Sequence, residues 1–428
     1  MAVFLISLFV VFCAIGVPIA IVLSMVVLAY FFVQDEVFFF QIIAPRFWSG
    51  MSSFELLAIP MFILSGDLLF AGKVSKALVD FANSMVGHIK GSMAIVTTVA
   101  CLFFGAVSGS GPATAAAIGA VVAPEMEKDG YKKEFTAAVV TASGPLGVLI
   151  PPSILMVVYG VVTSTSIGSM LVAGIGPGIV FAIFLVAYEI VICRKRGYGG
   201  NLSSRFSFVR VLQCARDATW ALLVPVIILG GIYSGMFTPT EAAGVAVVYS
   251  LFIGLFILKT IKAKDLWGIF LNSAITTSTI MFVMAGVSCL SYMFSREQIP
   301  EILTMAAMTY VTSPILFMLI CNVILFFAGM IENGSACVLL LAPLMYPVAM
   351  QYGIDPVYFG TVMVANLAVG MMTPPVAATL YVAARVSNVT FTRIIPEVVP
   401  FVFVLLCALA VVVAFPQISL YIPTVLFG

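Results

Sequence analysis

Residues 108–153 read SGSGPATAAAIGAVVAPEMEKDGYKKEFTAAVVTASGPLGVLIPPS, and this stretch decides the fold. Clusters of Gly, Ser and Pro stand at both of its ends, and such clusters interrupt a helix. The apolar segment around the first cluster begins after Lys90 and ends before Lys128, which places both of its ends at one membrane face. Each of its arms holds about 16 residues, fewer than a full crossing needs. We therefore predict a re-entrant helical hairpin over 91–127, with its tip at Ser108–Pro112, in preference to two thin spans.

Scarcity of charge places this hairpin in a polytopic membrane protein. Only 9% of the 428 residues are Asp, Glu, Lys or Arg, 63% are hydrophobic, and the mean hydropathy is +1.21. A soluble protein carries about 25% charged residues, so this composition excludes a soluble enzyme, a disordered chain and a nucleic-acid-binding protein. The charge-free windows are continuously apolar, so they predict about ten or eleven helical elements in a lipid bilayer rather than a β-barrel. These windows are 1–34, 91–124, 135–188, 218–240, 266–295, 302–331, 333–354, 356–384 and 398–428.

Basic clusters orient the path of the chain, because Lys and Arg mark the cytoplasmic side. Residues 1–33 lack a basic n-region and a cleavage site, so they predict a retained first span and a cytoplasmic N-terminus. The path ends with a periplasmic C-terminus. The first half has spans at about 3–33, 53–72 and 170–193, the hairpin, and a crossing over 132–165 that is broken at SGPLGVLIPPS. The second half has spans at 218–236, 239–258, 266–294 and 397–414, a hairpin over 303–352, and a crossing over 355–384 that is broken at VGMMTPP.

Over about 75 positions, the second half of the chain matches the first without a gap at an offset of 223 residues. The pairs include Gly111 with Gly334, Gly147 with Gly370, Pro151-Pro152 with Pro374-Pro375 and Pro177 with Pro400. One half holds an even number of crossings, so the additional span at 218–236 reverses the orientation of the second half. We therefore predict an inverted-topology repeat, an architecture of secondary transporters. The first repeat covers 1–196, a cytoplasmic linker with the reversing span covers 197–236, and the second repeat covers 237–428.

Two hairpin tips and two helix breaks are the candidate binding sites. Irregular backbone at membrane depth lines a cavity or is buried in protein, and its carbonyl groups suit Na⁺ while its N–H ends suit a carboxylate. We predict two Na⁺ sites, each between one tip (Ser108–Pro112 or Glu332–Ser335) and one break (Gly144–Ser153 or Gly370–Pro375). The first set of ligands is Gly105, Ser108, Gly147, Ile150 and Pro152, and the second is Gly329, Asn333, Gly370, Thr373 and Pro375. Ser110, Thr114, Asn366 and Thr379 are candidate hydrogen-bonding partners of a polar solute.

The alternative is that these Gly and Pro residues only shape helix packing and kinks. Among the charged residues, Glu332 at the second tip is an intramembrane carboxylate and a candidate for cation binding or gating, and we take it as the one buried acid. Glu241 in FTPTEAAG is expected to cap a helix that starts after Thr238 or Thr240. The only His, His88, stands at a membrane edge, which argues against a membrane protease and against catalytic residues altogether.

The motifs resemble the large membrane subunit of TRAP transporters, the tripartite ATP-independent periplasmic transporters. The resemblance rests on residues 108–153, on GMFTPTEAAGVAVVYS (235–250) and on GMMTPPVAATLYVAARVS (370–387), and it extends over essentially the whole chain. It implies an all-α, elevator-type secondary transporter of the bacterial inner membrane, similar in fold to the ion-transporter superfamily. The family's Na⁺ ligands carry over onto Ser108, Gly147, Ile150, Pro152, Gly329, Gly370 and Thr373, and Gly105 offers only its carbonyl.

The resemblance also implies the activity and the partners. Such proteins import a small organic acid with two or more Na⁺ ions, and sialic acids, C4-dicarboxylates and keto acids are all compatible substrates. They work with a small four-helix membrane subunit, here expected as a separate chain, and with a periplasmic solute-binding protein. The nearest alternative is a stand-alone Na⁺/dicarboxylate symporter of related fold that needs no binding protein. A channel is disfavoured, because two broken-helix sites behind opposed hairpins do not form a continuous pore.

Overall fold

The computed structural model describes residues 7–8, 11–12, 15, 17, 19–33, 40–198 and 206–427, and its regular structure there is helical. The first-half helices are α1 (Ile19–Val33), α2 (Phe40–Ser49), α3 (Ala58–Ala71), α4 (Val74–Val86), α5 (Ser92–Ser108), α6 (Gly111–Lys128), α7 (Lys133–Ser143), α8 (Leu146–Leu149), α9 (Ile154–Thr163), α10 (Ile167–Ala173) and α11 (Ile175–Arg196). The second-half helices are α12 (Phe208–Tyr233), α13 (Pro239–Phe252), α14 (Ala263–Arg296), α15 (Ile299–Tyr310), α16 (Pro314–Ile331), α17 (Gly334–Gln351), α18 (Pro356–Gly370), α19 (Ala378–Val386), α20 (Phe391–Ala414) and α21 (Gln417–Phe427).

Within the described residues, eight helices are long and apolar enough to cross a membrane, or nine if one bent pair counts as a single span. The sequence predicted about ten or eleven elements, a higher number. The difference arises because several apolar helices are shorter than a full crossing, namely Ile21–Val33, Ser92–Ser108, Pro356–Gly370 and Gln417–Phe427. Part of the predicted first span, 3–33, lies outside the described residues.

The first predicted hairpin is confirmed as two helices with a two-residue connection. Helix α5 ends at Ser108, α6 begins at Gly111, and the two helices pack against each other. Gly109 in the connection has φ = 65°, a left-handed conformation that Gly adopts without steric cost. Pro112 lies in the first turn of α6, where its missing N–H has no intrahelical partner to lose. The local chemistry of the tip therefore sets the turn.

The second hairpin is shorter than predicted. Its arms are α16 and α17, with the tip at Glu332 and Asn333, whereas residues 303–310 belong to the separate helix α15. A new helix begins at Pro314 because the side chain of Ser313 accepts a hydrogen bond from the N–H of Leu316 and Pro is favoured in the first turn. Assigning 303–310 to the hairpin was therefore wrong. In the first half, the separate helix α4 likewise precedes the first hairpin arm, α5.

Both predicted helix breaks are present. Helix α7 ends at Ser143, and the chain passes through the single turn of α8 before α9 begins at Ile154, with a bend of 41° across the break. In the second half, α18 ends at Gly370 and α19 begins at Ala378. Each interval contains a Pro-Pro pair, and Pro cannot donate the hydrogen bond that would continue the helix.

Two boundaries differ from the expected ones. Residues 208–217, predicted as part of a polar linker, form the first turns of α12, which continues unbroken into the membrane segment. The expected short C-terminal tail contains another helix, α21, which packs against α10 and α11. The charged residues of 208–217 led to a predicted span that begins only at 218, because charge density marks a membrane boundary and not the end of a helix.

The hairpins and broken helices interlock. Helix α19 of the second half packs against α6 and α7 of the first, and α9 of the first half packs against α17 of the second. Among the remaining helices, α3 packs against α13 and α1 against α14, while α3 also contacts α5 and α14 also contacts α17. This arrangement brings the two tips and the two breaks to one central region.

Candidate functional site

The first tip touches the first break through backbone atoms. A Cβ placed on Gly105 would lie 2.7 Å from the Cα of Gly147, so only glycines allow this approach. A Cβ on Gly109 would overlap the carbonyl oxygen of Pro152, and the N–H of Ile154 donates a hydrogen bond to the carbonyl of Gly109 (3.4 Å). The structure thus brings together the tip and the break from which the first Na⁺ site was predicted.

Two hydroxyl groups line this contact. The Oγ of Ser108 lies 2.8 Å from the Oγ1 of Thr114, and both side chains are buried. A Cβ on Gly147 would overlap Thr114 Oγ1 and would lie 2.9 Å from the carbonyl oxygen of Ser110. We call Gly105, Ser108, Ser110, Thr114, Gly147 and Pro152 the first cluster. Thr114, a predicted solute ligand, therefore stands among the predicted Na⁺ ligands.

Ile150 ends α8 with extended backbone (φ = −77°, ψ = 130°). Its side chain packs where a Cβ on Gly178 of α11 would lie, so it fills the space between α8 and α11. An Ile side chain has no ligand atom, so this residue can coordinate a cation only through its backbone carbonyl oxygen.

The second tip meets the second break in the same manner. A Cβ on Gly370 would lie 2.7 Å from the Cα and 2.8 Å from the carbonyl carbon of Gly329. The N–H of Val376 donates to the carbonyl of Met330 (3.0 Å), and the buried hydroxyl of Thr373 donates to the carbonyl of Val369 (2.9 Å). We call Gly329, Gly370 and Thr373 the second cluster.

Asn333 and Pro375, also predicted as ligands, lie at the exposed rim of the second cluster. The Oδ1 of Asn333 accepts a hydrogen bond from the N–H of Ser335 (3.1 Å) and so caps the first turn of α17. The cap accounts for an Asn at this position without a bound ion. Glu332, immediately before it, is half-buried.

Each tip also touches the broken helix of the other half. A Cβ on Gly111 would lie 3.4 Å from the Cγ2 of Thr379, and one on Gly334 would lie 2.7 Å from the Cδ2 of Leu155. These residues stand in the first turns of α6, α19, α17 and α9, so the N-terminus of α6 lies beside that of α19 and the N-terminus of α17 lies beside that of α9. Helix N-termini carry partial positive charge and free N–H groups, which suit an anionic solute.

The four predicted solute ligands are not equally placed. Ser110 is partly exposed, whereas Thr114 and Thr379 are fully buried, and the Thr379 hydroxyl donates to the carbonyl of Met371 (2.9 Å). The Nδ2 of Asn366 donates to the backbone oxygen (2.9 Å) and the Oδ1 (2.7 Å) of Asn322 on α16. Asn366 thus faces α16 and a largely apolar cavity of about 880 Å³ between α16, α18 and α20, rather than the first tip.

Sequence analysis missed a buried acid on α11. Glu189 has 0% of its surface exposed, and its Oε1 accepts a hydrogen bond from the hydroxyl of Thr98 (2.6 Å). The expectation that Glu332 is the one buried acid was therefore wrong. A signal was available, because Glu189 stands inside the predicted span 170–193 and not at its edge.

The expected cap at Glu241 is confirmed. The Thr238 N–H donates to Glu241 Oε2 (2.8 Å), and the Glu241 N–H donates back to Thr238 Oγ1 (3.3 Å), which together form a capping box at the start of α13. This carboxylate has a structural role at the helix terminus.

Long apolar helices with two hairpins and two broken helices define a multi-pass membrane protein of the transporter class. Residues 6–418 match the family described as tripartite ATP-independent periplasmic transporter, DctM component. The chain is 40% identical over 381 residues to the C4-dicarboxylate TRAP transporter large permease protein DctM of Pseudomonas aeruginosa, covering 89% of each chain. It is 36% identical over 415 residues to the sialic acid TRAP transporter large permease protein SiaM of Vibrio cholerae, covering 96% of each.

A solved structure shows the same overall fold. The YdaH transporter of Alcanivorax borkumensis superposes with a TM-score of 0.61 at 14% identity, over 97% of this chain and 98% of that one. The chain belongs to the DctM family and is a large permease of the TRAP transporters. Its relatives are transport proteins and not enzymes, as the sequence predicted.

Proposed function

We propose that the chain couples the entry of Na⁺ to the import of a small organic acid across the bacterial inner membrane. A periplasmic solute-binding protein delivers the acid, and a separate small four-helix membrane subunit completes the transporter. The N-terminus is cytoplasmic and the C-terminus periplasmic. The observation that carries this proposal is the direct contact of each hairpin tip with one helix break, at Gly105–Gly147 and at Gly329–Gly370.

The chemistry of the clusters favours Na⁺ as the coupling ion. Their ligand atoms are neutral hydroxyl and carbonyl oxygens, and unwound backbone in transporters coordinates Na⁺ in this way. Ser108, Thr114 and the carbonyl of Ser110 supply oxygens at the first cluster, and Thr373 with the break carbonyls does so at the second. Two Na⁺ ions with a monoanion carry net positive charge inward, and each charge gains about 2.3 kcal/mol per 100 mV of membrane potential. Uptake is then electrogenic.

In this proposal the solute site lies at these two pairs of helix N-termini. Their partial positive charges neutralise a carboxylate without an Arg or Lys, and Ser110 is a hydrogen-bonding partner within reach. Sialic acids, C4-dicarboxylates and keto acids all present such a carboxylate. Relatives named for C4-dicarboxylates and for sialic acid fit this substrate class.

An elevator movement is supported by the relation between the two halves. The first residues of α6 and α17 are separated by 223 positions, as are those of α7 and α18, which equals the offset of the sequence match. Because the tips and breaks of the two halves cross-pack, they are suited to move as one body past the remaining helices. Na⁺ at both clusters would hold tips and breaks together during that movement.

The test is solute uptake into proteoliposomes that contain the chain, its small subunit and the binding protein. Ser108→Ala and Thr373→Ala are expected to raise the Na⁺ concentration for half-maximal uptake about tenfold each, because each removes one ligand oxygen or its support. Thr276→Ala is the matched control, since this exposed hydroxyl also bonds to the carbonyl four residues before it but lies on α14. Uptake that ignores the Na⁺ gradient would refute the proposal, and uptake without binding protein would favour the stand-alone symporter.

A further inference from the structure

Glu189 is a buried acid that the Na⁺ clusters do not use. It lies in the C-terminal half of α11, seven residues before Arg196, inside the apolar span Ile167–Arg196, with its side chain fully buried. The Thr98 hydroxyl donates to Oε1, whereas Oε2 is buried and has no hydrogen-bond partner among the described residues. An acid in this setting is a candidate for function, because burying a carboxyl group with one oxygen unsatisfied is costly.

No cation among the described residues compensates this acid. The titratable groups that face it are Cys101 on α5, Cys193 on α11 and Tyr131 before α7, and none of them is basic. Arg196, two turns further along α11, is bound to Glu397 on α20 (2.7 Å). An ionised carboxylate here would be a charge held away from water without a partner, whereas a protonated acid would be neutral.

Two hydroxyl groups join the acid to the two helices that lead into the first cluster. Thr98, which donates to Glu189, has its Oγ1 2.9 Å from the Oγ of Ser143. Thr98 lies on α5, the arm that ends at Ser108, and Ser143 is the last residue of α7 before the first break. The oxygens around Glu189 are therefore its own carboxyl group and two hydroxyls, which are too few to enclose a metal ion but are suited to a proton.

We propose that Glu189 is a proton-binding site whose charge state is linked to the geometry of the first cluster. In the neutral state a carboxyl oxygen carries the proton and the other accepts from Thr98. Release transfers that proton to a water molecule and leaves a carboxylate, which draws the Thr98 and Ser143 hydroxyls towards it. The two hydroxyls belong to the hairpin arm α5 and to α7, the helix before the break. Proton release therefore changes the packing of α5 against α7.

Infrared difference spectroscopy tests the proton site on the full chain in lipid bilayers. Between acidic and alkaline buffer, the wild type is expected to lose a carboxylic-acid carbonyl band that Glu189→Gln lacks in both. Glu127→Gln, which changes an exposed acid, is the matched control and should keep the band. If no titrating band depends on Glu189, the acid has a purely structural role and the proposal is refuted.

Two further measurements test the link to the first cluster. Thr98→Val removes the donor at similar shape and is expected to shift the midpoint of the band by about one pH unit to higher pH, because the carboxylate loses a hydrogen bond. An unshifted midpoint would overturn the hydrogen-bond link. The second measurement, which rests on the proposed Na⁺-driven uptake, is the Na⁺ concentration for half-maximal uptake as a function of pH.

The Na⁺ concentration for half-maximal uptake should vary with pH in the wild type and be independent of pH in Glu189→Gln. The same pH dependence in both would refute the linkage. A wild type without any Na⁺ dependence would refute the proposed function instead, and the infrared titration would still decide the proton site.

Discussion

Gly370→Ala gives the sharpest test of the contact between the second tip and the second break. The added Cβ would lie 2.7 Å from the Cα, 2.8 Å from the carbonyl carbon and 3.2 Å from the carbonyl oxygen of Gly329. Ordinary carbon contacts are about 3.5–4.0 Å, so α16 would have to move by about 1 Å. All three obstructing atoms are backbone, and no rotamer change can relieve the overlap.

Overpacking of this kind costs about 1–3 kcal/mol. If Na⁺ binds only when tip and break are closed on each other, the same free energy is subtracted from binding, which corresponds to a loss of affinity of about 5- to 150-fold. Gly329→Ala, whose Cβ would meet its nearest atoms at 3.2–3.3 Å, should show a smaller loss, because small shifts suffice there. The order of the two variants therefore follows from the geometry.

The assay is the Na⁺ concentration for half-maximal uptake in proteoliposomes, together with the Na⁺-dependent rise in melting temperature of the purified transporter. Gly268→Ala is the matched control, because a Cβ on this residue of α14 meets no atom within 4 Å. It gains the same helix propensity, about 0.5–1 kcal/mol, without a clash. The reasoning is refuted if Gly370→Ala folds and responds to Na⁺ at the same concentration as Gly268→Ala and the wild type.

Three further outcomes are expected. Gly109→Ala should impair uptake and stability more than Gly353→Ala. Both residues have positive φ, so either substitution costs about 1–2 kcal/mol, but only a Cβ on Gly109 would also overlap backbone atoms. Equal melting temperatures of the two variants would contradict this prediction. Asn322→Ala and Asn366→Ala should lower stability similarly, by about 1 kcal/mol, with less than additive effects in the double variant and an unchanged half-saturating solute concentration. Thr238→Ala should cost about 1 kcal/mol in thermal unfolding without changing the Na⁺ requirement, and a changed Na⁺ requirement would contradict a purely capping role.

The tips and breaks were predictable because their cause is local. Gly109 turns the chain through a left-handed conformation, and each Pro-Pro pair lies in the interval between two helices, where it cannot donate the hydrogen bonds that would continue a helix. Such features need no knowledge of the surrounding packing.

Helix α4 was missed because it lies outside the charge-free windows, whereas α15 was merged into the second hairpin because most of it falls inside the window 302–331. Helix α4 carries Lys76 and Asp80 on one side and buries Leu78 and Ala82 on the other, so it is an amphipathic helix that packs on α5 and α12. A search for charge-free segments treats such residues as a boundary. A search for helical periodicity in the same segment would have found it.

Side-chain partners depend on packing between distant segments, and there the sequence was insufficient. Asn366 was grouped with Thr379 because both stand near one break, yet Asn366 turns towards Asn322 on α16. The position of Glu189 inside a predicted span was visible in the sequence, but its partner Thr98, which lies 91 positions away, was not. Only the packing of α11 on α5 brings these two together.

This arrangement gives a physical reason why the chain carries so few charged residues. An organic acid at membrane depth needs compensation, and a buried Arg or Lys would impose its own desolvation cost whenever the acid is absent. Helix N-termini carry roughly half a positive charge each, and they are already part of the fold. The N-termini of α6 and α19 and those of α9 and α17 lie side by side, so the proposed site carries partial positive potential that bound Na⁺ would raise further. On the proposed function, the solute would bind more tightly with Na⁺ than without it, which is the requirement for coupled uptake.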